Sequence, residues 1–181
     1  MLKKIPILLF IFLISYYCFK SEVYTQNTIL VGSSLPKTGI IKSWGESVIY
    51  GADSYFKYAN DAKLLGDKKI EFLTYDDKYE PELTIDNTNK LVNNDKVFAL
   101  FGFVGTPTVK SILPIVYDEK IPFFAPFTGA SFLRDNQNKY FINFRSSYEE
   151  EIESVVYYLN NKRGLNKIAV FYQNDDYGEE G

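Results

Sequence analysis

The 181-residue sequence contains no histidine and a single cysteine, Cys18. Without histidine there is no Ser-His-Asp or Cys-His machinery and no imidazole for a zinc site, and one cysteine allows neither an internal disulfide nor a paired-thiol site. Positive charge is also scarce. Twenty Lys and Arg against 23 Asp and Glu leave a net charge of −3, and no long basic run marks a nucleic-acid surface. The chain has no G-x-S-x-G elbow and no P-loop. Tryptophan occurs once, at Trp44, whereas Tyr and Phe occur 15 times each, a supply that fills cores and can also line aromatic pockets. The length suits one domain, or one domain and part of another.

The first 27 residues have the layout of an export signal. Lys3 and Lys4 form a basic start, and Ile5 to Ile14 an apolar stretch about half the ~20 residues that span a bilayer. An uncleaved apolar anchor is the alternative. Cys18 is a candidate lipid acceptor that would tether the mature protein, although Tyr16 and Tyr17 stand where a lipoprotein peptidase prefers small residues. The expected location is periplasmic or otherwise extracytoplasmic.

From there the chain alternates apolar runs and amphipathic stretches, the pattern of an α/β fold with a parallel sheet flanked by helices. Ile29 to Val31 begin a strand, and Ser43 with Glu46 has capping-box spacing, so a helix is expected from Ser43 with Trp44 in its first turn. Trp44 there either covers a ligand or packs the helix start. Lys69 to Tyr75 is the second strand. Asp76 and Asp77 close it either as caps of the next turn or as a magnesium site, the turn being the ordinary role of adjacent acids. Pro81 opens the next helix, with Thr84, Ile85, Thr88, Leu91 and Val92 turned inward.

The stretch VFALFGFVGTPTVKSILPIVYDEKIPFFAPFTGA organises the rest. Val97 to Phe101 is a strand, and Thr106 is the expected N-cap of a helix that Pro107 starts. Val109, Ile112, Leu113 and Val116 form its buried stripe. Pro122 to Ala125 is the following strand, so the hydroxyls of Thr106 and Thr128 should emerge at one carboxyl edge of the sheet, where open α/β sheets bind ligands. A helix start at Thr106 would favour an anion there. Tyr140 to Phe144 is a fifth extended segment. Ser147 and Glu150 then make a second capping box, with Ile152, Val155, Val156 and Leu159 along one helix face. Lys167 to Tyr172 is expected as a further strand, with NDDYG leading into a helix near Gly181. Such a strand and helix leave apolar faces bare, so the chain is expected to be the amino-terminal piece of a longer protein.

In order, ILVGSSLPKTG, WGESVIYGAD, YDDKYEP, KLVNNDKVFALFGFVGT, IPFFAPFTGASFLR and IAVFYQNDDYGEEG resemble the type I periplasmic binding proteins that serve branched-chain amino-acid ABC transporters. The resemblance covers nearly all of residues 28–181. It implies two α/β lobes that close on a small ligand, with residues 28–144 as lobe one and 145–181 as the start of lobe two. Carried over by position, Thr106 matches a ligand-carboxylate contact, Trp44 the aromatic at the cleft mouth, and Phe127 a carbonyl that accepts the ligand ammonium. Gly129 stands where branched-chain members have a hydroxyl residue, with Thr128 beside it, and Tyr177 matches an aromatic of lobe two. The implied partners are an amino acid or related small carboxylate and a membrane permease, the full-length protein acting as a monomer without cofactor, metal or nucleic acid. The same lobe in a receptor is the alternative. An enzyme is not expected, because only the acid pairs Asp76–Asp77 and Asp175–Asp176 could serve one, and turn residues of that kind are ordinarily solvated or capping.

Overall fold

The structure, a computed structural model, describes residues 27–135 and 138–181. The export segment apart from Asn27, including Cys18, lies outside the described residues. Among those described, no helix is long and apolar enough to cross a membrane.

The described residues form five strands: β1 (Thr28–Leu35), β2 (Lys69–Asp76), β3 (Ala99–Phe101), β4 (Phe123–Phe124) and β5 (Phe141–Ile142). They form one parallel sheet in the order β2-β1-β3-β4-β5. Parallel neighbours cannot be joined by a hairpin, and the crossovers are mostly helical. These helices are α1 (Lys42–Asp61), α2 (Pro81–Asn89), α3 (Thr106–Ser111) and α4 (Leu113–Glu119), followed by α5 (Tyr148–Tyr157) and α6 (Asp176–Glu180). The α/β class and the helix-flanked parallel sheet are therefore as the sequence implies.

Alternation along the strands sorts side chains to two faces. Phe101 points to α1, where Phe56 meets Phe72 and Phe101 edge-on at 5.6 Å each. Its neighbour Leu100 points the other way, into a core with Leu91, Val109, Ile112, Val116 and Phe123, all fully buried. Each such side chain contributes roughly 1.5–3 kcal/mol by leaving water. Gly32 in β1 lets this layer close, because a Cβ there would lie 2.8 Å from a Leu91 methyl and 2.9 Å from Val97.

Four local expectations change. The helix expected from Ser43 begins at Lys42, its N-cap is Ile41, and no side chain caps it. Turn carbonyls do that work, Gly39 O accepting from Lys42 N–H and Ile41 O from Trp44 N–H, while Ser43 O accepts the Ser47 hydroxyl. The helix after β3 keeps its buried stripe but breaks at Ile112, because Pro114 has no N–H to continue the ladder. Its N-cap is Gly105, not Thr106. Lys167 to Tyr172 forms no strand, since a strand needs a neighbour to bond and this segment has none among the described residues. By contrast, the capping box at Ser147 and Glu150 is complete in both directions.

Candidate ligand-binding cleft

The carboxyl ends of β1 to β4 converge on one edge, and each is shaped by a tight turn. After β2 the two acids build the turn. Asp76 Oδ1 accepts from the backbone N–H groups of Lys37 (2.8 Å), Thr38 and Lys78 (3.1 Å each), and Oδ2 accepts from the Thr38 hydroxyl at 2.6 Å. Asp77 is fully buried and accepts from Ser34 Oγ (2.8 Å) and Tyr79 N–H (2.9 Å). Among the described residues, no three potential metal ligands come together.

These bonds hold Lys78 and Tyr79 at φ values of 55° and 71°, a left-handed pair that costs about 1–2 kcal/mol per residue. Tyr79 is thereby aimed across the edge at Gly105. A Cβ on Gly105 would lie 2.2 Å from the Tyr79 ring, and its φ of 111° suits glycine alone. Burial, reinforced by the charge of Asp76, raises the Asp77 carboxyl to about 6 despite the bonds from Tyr79 and Ser34. Burial also works upward on Asp76, but the bonds from Thr38, Lys78 and Lys37 outweigh it and hold that group below the usual range. The Tyr79 phenol is pushed up to about 12, first by burial and then by Asp175.

The two edge loops after β3 and β4 are joined by a parallel bridge between Val104 and Phe127. Phe127 turns its ring to Trp44, 5.3 Å between centroids. Arg145, in the crossover after β5, lies over Phe127 and Tyr148, 5.8 and 5.0 Å from the ring centres. Its Nη2 donates to both oxygens of Glu151, at 2.5 and 2.7 Å. Tyr148 in turn meets Tyr177 edge-on at 5.6 Å. Together with Ile41, Tyr79 and Gln173 these residues enclose a cleft of about 170 Å³, roughly the liquid volume of six waters. Half of its described lining residues are aromatic, and Arg145 is the one charged side chain among them.

The family profile described as periplasmic binding protein matches residues 28–181. The chain belongs to the periplasmic binding protein family. A curated relative, the amino acid binding protein of Pseudomonas aeruginosa, is 29% identical over 154 residues, covering 83% of this chain and 40% of its own length. Among solved structures, a possible leucine/isoleucine/valine-binding protein from Rhodopirellula baltica superposes with a TM-score of 0.81 at 36% identity, covering 86% of this chain and 42% of that one. A solute binding protein of an ABC transporter from Rhodopseudomonas palustris, solved with 3,4-dihydroxybenzoic acid, gives a TM-score of 0.71 at 25% identity, with 86% and 42% covered. The chain thus spans about two fifths of the length of the relatives it matches. Its sheet and helices are those of one type I lobe of this family.

Within that family frame the sequence-expected residues fall in three places. Trp44, Phe127 and Tyr177 line the cleft. Thr106 and Thr128 are fully buried behind its wall, their hydroxyl oxygens 2.7 Å apart and hydrogen-bonded. The Thr106 hydroxyl is therefore neither the helix cap nor on the cleft surface, since Gly105, with its positive φ, takes the cap position and turns Thr106 inward. Gly129 borders a neighbouring depression with Ser147 and Glu153. Tyr79, Arg145, Tyr148 and Gln173 were not expected in the cleft. Tyr79 had a signal, an aromatic two residues after the second of two acids at a strand's carboxyl end.

Proposed function

We propose that this chain is the ligand-facing amino-terminal part of an extracytoplasmic solute-binding protein that delivers an amino acid or related small carboxylate to an ABC permease. The observation that carries the reading is the aromatic cleft at the carboxyl edge of the parallel sheet, with one guanidinium in its wall. In this reading residues 28–144 are one lobe and 145–181 open a second. A cleft of about 170 Å³ is smaller than the ~300–1,000 Å³ of a complete small-molecule site, which suits one wall of a site that closes between lobes. The relatives named for amino acids and the one solved with an aromatic acid support this ligand class. Trp44, Phe127 and Tyr177 make direct contact. Thr106, Thr128 and Gly129 shape the wall from behind, and export through residues 1–27 places the protein outside the cytoplasm.

Trp44 is the only indole in the chain, and 53% of its surface is exposed at the cleft mouth, so it reports on occupancy. Titrating the full-length protein with a panel of amino acids and aromatic carboxylates should change its emission saturably for at least one ligand. Flat emission and unchanged thermal stability across the panel would rule the proposal out.

A further inference from the structure

Tyr148 is the first residue of α5, yet its side chain completes the wall built by β3 and β4. Its backbone N–H donates to Gly129 O at 2.9 Å. Its ring takes the space that a side chain at position 129 would need, since a Cβ there would stand 2.6 Å from Cδ1 and 2.9 Å from Cε1. Its phenol oxygen lies 3.4 Å from the Thr106 hydroxyl and 3.2 Å from that of Thr128. Tyr177 and the Arg145 guanidinium close on the ring, and only 9% of the residue is exposed. A side chain held on so many sides acts as a partition, not a flap. Behind it are the two hydroxyls, and in front are aromatic faces and Arg145.

We infer that Tyr148 is a specificity-determining residue of the cleft: it shuts the Thr106–Thr128 hydroxyl pair away from the ligand, so the site prefers an aromatic or similarly flat apolar carboxylate to a small aliphatic α-amino acid. This rests on the solute-binding reading above and narrows its ligand class. The chemistry on each side of the partition gives the reason. Trp44, Phe127, Tyr79 and Tyr177 offer faces and edges that suit a planar body. The Arg145 fork carries five N–H donors, more than Glu151 alone can take, so a ligand carboxylate can share it. An α-amino acid head brings several donors and acceptors into a small volume, and groups left unpaired there are costly. The hydroxyls that could answer them are bonded to each other and covered.

Calorimetric titration of the full-length protein with benzoate and with L-leucine tests this in the parent, Tyr148→Ala, Tyr148→Phe and Gly129→Ser. The parent should bind benzoate at least tenfold more tightly than leucine. Tyr148→Ala uncovers the hydroxyls and removes a wall, so leucine should tighten and benzoate weaken, each by tenfold or more. Gly129→Ser crowds the ring from the other side and should move the ratio in the same direction, which keeps the test decisive where Tyr148→Ala does not fold. Tyr148→Phe keeps the ring and should keep the parent's preference. A parent that prefers leucine, or folded Tyr148→Ala and Gly129→Ser proteins whose ratios stay within threefold of the parent's, overturns the role of Tyr148 while solute binding stands. Silence of the parent and all variants toward both probes and the wider panel overturns both readings.

Discussion

Residues 28–144 and residues 145–181 carry the same kind of apolar stripe and do different things with it. In the first region Val109, Ile112 and Val116 sit at helical spacing and are fully buried. In the second, Ile152, Val155 and Val156 sit at helical spacing on α5 and are 46%, 52% and 41% exposed. The periodicity is a property of the segment, whereas burial needs a sheet or helix to lie against. The first region has that partner in β3 and β4. The second is attached through the buried Tyr148 ring against Gly129 and through polar links, among them Lys110 Nζ to Asp176 at 2.5 Å and Ser131 N–H to Glu180 at 2.8 Å.

Truncation at matched stripe positions tests this contrast most strongly. Ile112→Ala should cost about 2–5 kcal/mol of unfolding free energy, through lost burial and the cavity left behind. Ile152→Ala should stay within about 0.5 kcal/mol, the range of surface substitutions. Urea unfolding of both variants checks the pair, and equal losses would erase the distinction between the regions.

Asp77 in the first region and the two glutamates that open α5 in the second should answer pH in opposite directions. Asp77 is raised in the fold, so the native state holds its proton more tightly than the unfolded chain does. Its contribution is full below its ordinary value near 3.8 and is lost as pH rises to about 6, a fall of up to about 3 kcal/mol. Glu150 and Glu151 at the start of α5 are lowered, Glu150 first by the Ser147 N–H and Glu151 first by Arg145, so their contributions exist at neutral pH and fade in acid. Asp77→Asn should therefore gain stability relative to the parent between pH 4 and pH 7. Parallel stability profiles for the two proteins over that interval would contradict the assignment to Asp77.

The smallest expected effect lies in the second region. Ser147 caps α5 through the Glu150 N–H, and Ser147→Ala should cost about 1 kcal/mol locally. Because that region packs little apolar surface, the loss should appear as faster amide exchange in α5 with little change in global unfolding. Uniform destabilisation would mean that the two regions unfold as one.

Much of this was legible in the sequence wherever a cause was local. Strand order of appearance, Pro81 at a helix start, the Ser147 box and the bonds of Asp76 to Lys78 and of Asp77 to Tyr79 all depend on residues within a few positions of one another. The place of Trp44 and Phe127 at the sheet's carboxyl edge followed from the family resemblance. What escaped was set by contacts across the fold. Ser43 has capping-box spacing, but the loop from Pro36 presses on Gly45, where a Cβ would meet the Pro36 carbonyl at 2.3 Å, and the helix starts one residue earlier. Thr106 has cap chemistry, but Gly105 alone tolerates the backbone and the approach of Tyr79. Tyr148 and Gly129 are 19 positions apart, and only the folded chain shows that one fills the space the other leaves.

The sheet itself has a kinetic consequence. Each of its pairings is parallel, and β1, the first strand made, lies in the interior between β2 and β3, so Thr28 must wait for Lys69 and Val31 for Ala99. Nascent chain emerging from a ribosome or a translocation pore has no hairpin to lock early, and loop closure precedes every reward. An interior strand is thus the one left longest without a partner, a window in which a chaperone could hold the chain open before the sheet forms.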